Sequence, residues 1–256
     1  MLRPPRIEFL IPVLALLLSA CVAPPMFLKT GSTGPTVVFQ NGIGDSADKW
    51  KDVIRKLDAS DSVFSFDRPG HVGSTLPDGP RDPCTIASEL HNLLHGTGVN
   101  PPYVLVGAEH GSLYQYAFVK LFPGEVAGML LIEPQHPGLL DAMKARDPDV
   151  AEIIAMLESA PWMSIAERRE YRDFRLCISN LRGRAAPNAP MRILVKAQDA
   201  KLRAKYRDIE DDWLILLPGV VRVESNLGGD ANLLAQPDRI AAEVKYLLNI
   251  IRRPRQ

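Results

Sequence analysis

The sequence predicts an α/β fold, a mostly parallel sheet covered by helices on both faces, with a helical insertion late in the chain. Two observations carry this expectation. Short apolar runs alternate with longer segments of helical period, and the stretch 137–190 interrupts that alternation without a convincing strand. Strands are expected at 37–39, 62–66, 103–106, 128–132, 192–196 and 220–223, each bounded by turn residues. Strand-helix alternation of this kind builds a parallel sheet buried on both sides.

The helices follow from spacing. Ile86, Leu90, Leu93 and Leu94 recur at i, i+4, i+7 and i+8, and Ile240, Val244, Leu247, Leu248 and Ile251 place a similar apolar stripe after Pro237. A further helix is expected to begin at His110 and to end near Phe122, because Pro123 disfavours the α conformation in the residue before it. Within 137–190, the segments AEIIAMLESAPW (151–162) and AERREYRDFRL (166–176) suggest two or three short amphipathic helices forming a lid. The many charges of the second segment read as a solvated face.

Composition bounds the function. The chain has 256 residues, 46% hydrophobic and 23% charged, enough apolar content for a large core and too much for general disorder. Its 30 basic and 30 acidic side chains leave no net charge, which argues against nucleic acid as a partner, since phosphate binding runs on accumulated Lys and Arg. The N-terminus reads as a signal peptide over 1–20: Arg3 and Arg6 precede an apolar run, 9–18, too short to span a bilayer. Leu18-Ser19-Ala20-Cys21 resembles the lipobox of bacterial lipoproteins, which implies cleavage before Cys21 and acylation of its thiol. Val22 in the next position resembles lipoproteins sorted to the outer membrane. The expected organisation is a lipidated tether at 21–35, then one domain at 36–256, anchored to the bacterial envelope and facing the periplasm. Cys84 and Cys177 remain, and an oxidising compartment would let them pair, but their separation along the chain leaves the pairing open.

Four segments in order carry a family resemblance. They are TVVFQNGIGDSADKW (36–50), FDRPGHVGS (66–74), VLVGAEHGSLYQYAFVKLFPGEVAGMLLIEP (104–134) and LLAQPDRIAAEVKYLL (233–248). Together they resemble the α/β-hydrolase superfamily of D-R-P-G type. The resemblance implies a glycine turn at Gly42 and Ile43 supplying oxyanion-hole amides together with His110. It also implies a sharp strand-to-helix elbow flanked by Gly107 and Gly111.

The sequence departs from that family where bonds are made and broken. The elbow reads Gly107-Ala108-Glu109-His110-Gly111, so Glu109 stands where the family places serine. Counting back from Pro237 puts Asp230 where the family has its histidine, and none of the five histidines follows His136. Asp199 is the best match for the acid. Three carboxylates, Glu109, Asp199 and Asp230, would need a shared proton or a cation such as Lys196 or Lys201 to coexist. Neither Ser112 nor His110 is expected to point where a nucleophile should. His91 and His95 sit at i, i+4, but HNLLH lacks the glutamate of H-E-x-x-H and no third ligand shows in the sequence, so no metal is expected. His71 and His136 fall on loops that border the family's pocket, and Glu133 on a structural E-P turn.

The expectation is therefore a lipid-anchored hydrolase-fold protein with an inactive or altered site, no cofactor, and a pocket for a small apolar or ester-like ligand. The alternative is an active hydrolase of esters, epoxides or related small substrates with Glu109 as an unusual nucleophile. A purely structural envelope protein fits least, since a scaffold has no need of the glycines at 42, 107 and 111.

Overall fold

The chain folds around a seven-stranded sheet, here described from a computed structural model covering residues 26–29, 31, 33–147, 149, 151–152, 156, 160–196, 200–225 and 233–253. In chain order the strands are β1 (Met26–Lys29), β2 (Thr33–Gln40), β3 (Asp61–Phe66), β4 (Tyr103–Ala108), β5 (Val126–Ile132), β6 (Met191–Lys196) and β7 (Val221–Ser225). Their spatial order is β1-β3-β2-β4-β5-β6-β7, with β1 antiparallel to β3 and every other pair parallel. All six expected strands form. β1 was not expected: four residues of the segment read as a tether are part of the sheet edge. Among the described residues no helix is long and apolar enough to cross a membrane.

The helices are α1 (Lys51–Arg55), α2 (Pro83–Gly96), α3 (His110–Leu121), α4 (Leu139–Arg146), α5 (Ile165–Asp173), α6 (Ile178–Leu181), α7 (Ala200–Leu216) and α8 (Pro237–Arg252). Strand residues alternate between two cores. Val38, Tyr103, Leu105, Met129 and Leu131 pack with α2 and α3 on one face, while Val37, Val104, Val106, Leu130 and Ile132 pack with α1 and α8 on the other. Two covered faces explain why these strands read as continuous apolar runs.

Order in the sheet positions the site. From β2 the chain adds β3 on one side and then crosses to add β4 on the other, with Gln40 opposite Gly107. In parallel α/β sheets such a reversal opens a crevice beyond the carboxyl ends of the two strands. The residues that follow β2 and β4 are Asn41-Gly42 and Glu109.

The lid is helical, as expected, and α4, α5 and α6 lie within 137–190. The charged segment at 166–176 is a solvated face only in part, with Arg172 exposed. Ala166, Glu170, Asp173 and Phe174 are all buried, at i, i+4, i+7 and i+8 of α5. Ser164 and Glu167 close a capping box that fixes where this helix begins. A Cys84–Cys177 disulfide, with Cα atoms 6.2 Å apart, ties the lid to the first turn of α2. The pairing left open by the sequence is thus made.

Candidate functional site

Glu109 sits on the turn between β4 and α3 with φ 50° and ψ −120°, a conformation that L-residues rarely adopt. Two glycines permit it. A Cβ at Gly107 would lie 2.7 Å from the carbonyl oxygen of Gly111, and one at Gly111 would lie 2.4 Å from that of Gln40. The first turn of α3 therefore packs directly on the backbone of β2. Within the turn, the Glu109 N–H donates to the Ile132 carbonyl, and its own carbonyl accepts from the N–H groups of Ser112 and Gln135.

The loop after β2 forms the opposite wall. Asn41 accepts from the Trp50 indole N–H and donates to the Asp45 carbonyl, while Asp67 accepts from the Ala47 N–H at 2.7 Å. Arg68 holds the same loop from beneath, donating to the carbonyls of Asn41 at 2.8 Å and Gly42 at 2.9 Å. The D-R of the D-R-P-G segment is thus a clamp on the glycine turn.

Above Gly42 two carboxylates share one space: a Cβ there would meet Glu109 Oε2 at 2.9 Å and Asp45 Oδ2 at 3.6 Å. Burial pushes the Glu109 carboxyl above its ordinary range, Asp45 and Glu133 push it further, and Lys49 pulls back. Lys49 is paired with Asp45 at 2.5 Å. A carboxylate cluster with a lysine is therefore present, but its described members are Glu109, Asp45, Glu133 and Lys49. Asp45 and Lys49 were missed; their one sequence signal was the i, i+4 spacing inside the glycine-turn segment. Asp199, Asp230 and Cys21 lie outside the described residues.

All five histidines are described, and none engages Glu109. His71 meets Glu170 through Nε2 at 3.0 Å, and His91 and His95 face Glu125 at the far end of α3. His136 is spent at both nitrogens: Nε2 meets Asp212 at 3.0 Å and Nδ1 accepts from the Gly138 N–H. His110 turns away from the elbow into Tyr171 and Phe174, with Nε2 buried and unpartnered among the described residues. Burial and the nearby Arg68 charge lower its pKa to about 4, so its ring is neutral at pH 7. Ser112 is buried and donates to the Gly107 carbonyl, as its place one turn into the helix implied.

A cavity of about 200 Å³ lies beyond the end of β5. It begins at Glu133 and Gln135 and runs between the ends of β5 and β6 and the helix α7, past Ile193, Val195, Ile209 and Trp213, with Lys196 on its wall. Its size suits a small molecule, being below the usual range of roughly 300–1,000 Å³ for drug-sized ligands.

Under the site, Glu170 of the lid is fully buried and accepts from Arg68 Nε and Nη2, from the Tyr114 hydroxyl and through the His71 contact. Burial alone would raise its pKa; the Arg68 charge and the hydrogen bonds from His71 and Arg68 more than reverse this and hold it well below the usual carboxylate range.

A family model described as alpha/beta hydrolase matches residues 37–248, most of the chain. The chain belongs to the alpha/beta hydrolase family. Solved structures of similar hydrolase fold include Cfl2 of Burkholderia cenocepacia, 16% identical with TM-score 0.67 over 87% of this chain and 91% of that one. The enol-lactonase of Burkholderia xenovorans LB400 is 17% identical with TM-score 0.61, covering 90% of this chain and 96% of that one. Among curated relatives, the uncharacterized protein YqjL of Bacillus subtilis is 30% identical over 106 residues, 41% of this chain and 42% of YqjL. The chain spans less than half the length of the curated relatives it matches.

Two outcomes follow for this hydrolase-fold site. Glu170→Ala leaves the Arg68 guanidinium buried without its counter-charge and is expected to cost about 3–5 kcal/mol in urea unfolding. Glu109 has a folded pKa above its unfolded one, so its ionisation opposes folding once the pH passes about 4.3. Glu109→Gln is therefore expected to raise Tm at pH 7 and to raise it less at pH 4; equal shifts at both would contradict the raised pKa.

Proposed function

We propose that this protein is a lipid-anchored binding or regulatory protein of the bacterial envelope, which keeps a hydrolase pocket and has lost serine-hydrolase chemistry. The observation that carries the reading is Glu109 in the strained elbow conformation with every histidine of the chain engaged or facing elsewhere. Serine-type acyl transfer needs a hydroxyl or thiol and a base within hydrogen-bond reach. A carboxylate nucleophile would form an ester that must itself be hydrolysed by water activated by a base, and no imidazole is at hand. The carboxylates at 45 and 133 surround Glu109 with negative charge, which favours keeping its proton over attacking an electrophile.

The ligand this reading implies is small and mostly apolar. It would fill the cavity along Ile193, Val195 and Trp213 and reach Glu109 past Glu133. The chemistry of the similar structures, an esterase of Thermogutta terrifontis and an enol-lactonase among them, suggests esters and lactones as the first compounds to try for binding. Anchoring through Cys21 is supported by the Leu18-Ser19-Ala20-Cys21 segment, and export by the Cys84–Cys177 disulfide, which persists in oxidising compartments.

The chain lacking residues 1–21, which retains β1, is expected to hydrolyse no short-chain ester, epoxide or haloalkane faster than its Glu109→Ala variant does. Turnover that disappears with Glu109→Ala would establish the enzyme reading instead. For the anchor, cells fed an alkyne-labelled fatty acid are expected to label the chain and not Cys21→Ser, and the exported protein should run faster on gels without reductant. A label retained by Cys21→Ser would sink the lipoprotein assignment.

A further inference from the structure

His91 and His95 lie one helical turn apart on the same face of α2, a spacing that points two imidazoles at one spot. The sequence offers no third ligand nearby. The fold brings one: Glu125, in the 3₁₀ turn Pro123–Glu125 that follows α3. Its Oε1 stands 3.0 Å from His91 Nε2 and its Oε2 3.4 Å from His95 Nε2, and one ligand atom from each residue can be chosen so that all lie within 4.8 Å of one another.

We propose that His91, His95 and Glu125 form a binding site for a zinc ion, separate from the elbow. A tetrahedral ion with bonds of about 2.0–2.2 Å to imidazole nitrogen and carboxylate oxygen spaces its ligand atoms roughly 3.3–3.5 Å apart, close to the 3.0 and 3.4 Å between the two imidazole nitrogens and the Glu125 oxygens. The donor set is also selective. Two imidazoles suit zinc and its borderline neighbours, whereas Mg²⁺ and Ca²⁺ prefer all-oxygen shells.

The imidazole orientations are built in. The His91 ring stacks on Phe122 with centroids 3.9 Å apart and planes 9° from parallel, and the His95 ring lies 4.3 Å from that of His91. Fixing a ligand in advance lowers the ordering cost of binding. Access is open, with the His95 side chain 44% exposed and those of His91 and Glu125 partly so. Three protein ligands leave one tetrahedral position for water. An ion there joins α2 to the turn after α3, about 18 Å along α3 from Glu109. It would act on the packing of these helices and not on chemistry at the elbow.

The full-length chain, purified in detergent and stripped with EDTA, is titrated with ZnCl₂ by calorimetry. One equivalent is expected to bind, raising Tm, and Mg²⁺ is expected to give no saturable binding. His95→Ala and Glu125→Gln should each weaken Zn²⁺ binding by about tenfold or more while melting with the parent in EDTA. His95→Ala, at an exposed position, decides the matter if Glu125→Gln fails to fold. Absence of one-to-one binding in the parent, equal binding of Mg²⁺, or a loss short of tenfold in His95→Ala would each overturn the proposal.

Discussion

One buried guanidinium organises the carboxyl end of the sheet. Arg68 is 1% exposed, and its donors are divided between two backbone carbonyls of the glycine turn and the two oxygens of Glu170. A planar fork with fixed donor directions can satisfy both at once only if turn and lid helix stand at set positions around it. The floor of the crevice and its cover are therefore positioned by the same side chain. Taking either partner away leaves a charge in a place water does not reach, which is why the contact specifies geometry more than it adds net stability. The disulfide acts in parallel, holding the lid's other end to α2.

The sheet, its parallel order and the elbow were legible because they rest on local signals. Apolar runs mark strands, glycines mark close backbone approach, and Pro123 marks where α3 must stop. The buried charges were not legible, since a carboxylate on a helix most often faces water and only its partner reveals otherwise. Glu170 had one sign: Ala166 and Phe174 place an apolar face on α5, and Glu170 and Asp173 fall on that face. Reading the segment by charge count concealed the period running through it. The same limit hid Asp45 and Lys49, whose approach to Glu109 depends on how the glycine turn folds over the elbow. It also hid Glu125, which meets His91 and His95 only because α2 and α3 pack side by side.

The position of the candidate site follows from topology and not from its residues. A crossover on each side of β2 leaves space beyond β2 and β4 whatever side chains stand there, so the crevice does not depend on which residue occupies position 109. What a glutamate there sets is electrostatics. A hydroxyl at this turn is neutral and needs a base to act; a carboxylate brings its own charge into a space already facing Asp45 and Glu133. Lys49 cannot offset all of them, because it is already paired to Asp45. Burial and these neighbours together raise the pKa of Glu109.

Two costs thus meet at a single residue. A non-glycine side chain at φ 50° and ψ −120° costs on the order of 1–3 kcal/mol, and a carboxyl driven above its usual pKa adds an electrostatic penalty at neutral pH. A residue serving only to close the turn would need no charge, and one serving only as an exposed acid would need no strain. Where both persist, the surrounding structure holds them against relaxation: Gly107 and Gly111 remove the steric alternative, and Arg68 fixes the opposite wall. The side chain is left over Gly42, beside the Asp45 carboxylate. The strain and the raised pKa thus meet in one side chain, on a turn that Gly107 and Gly111 permit.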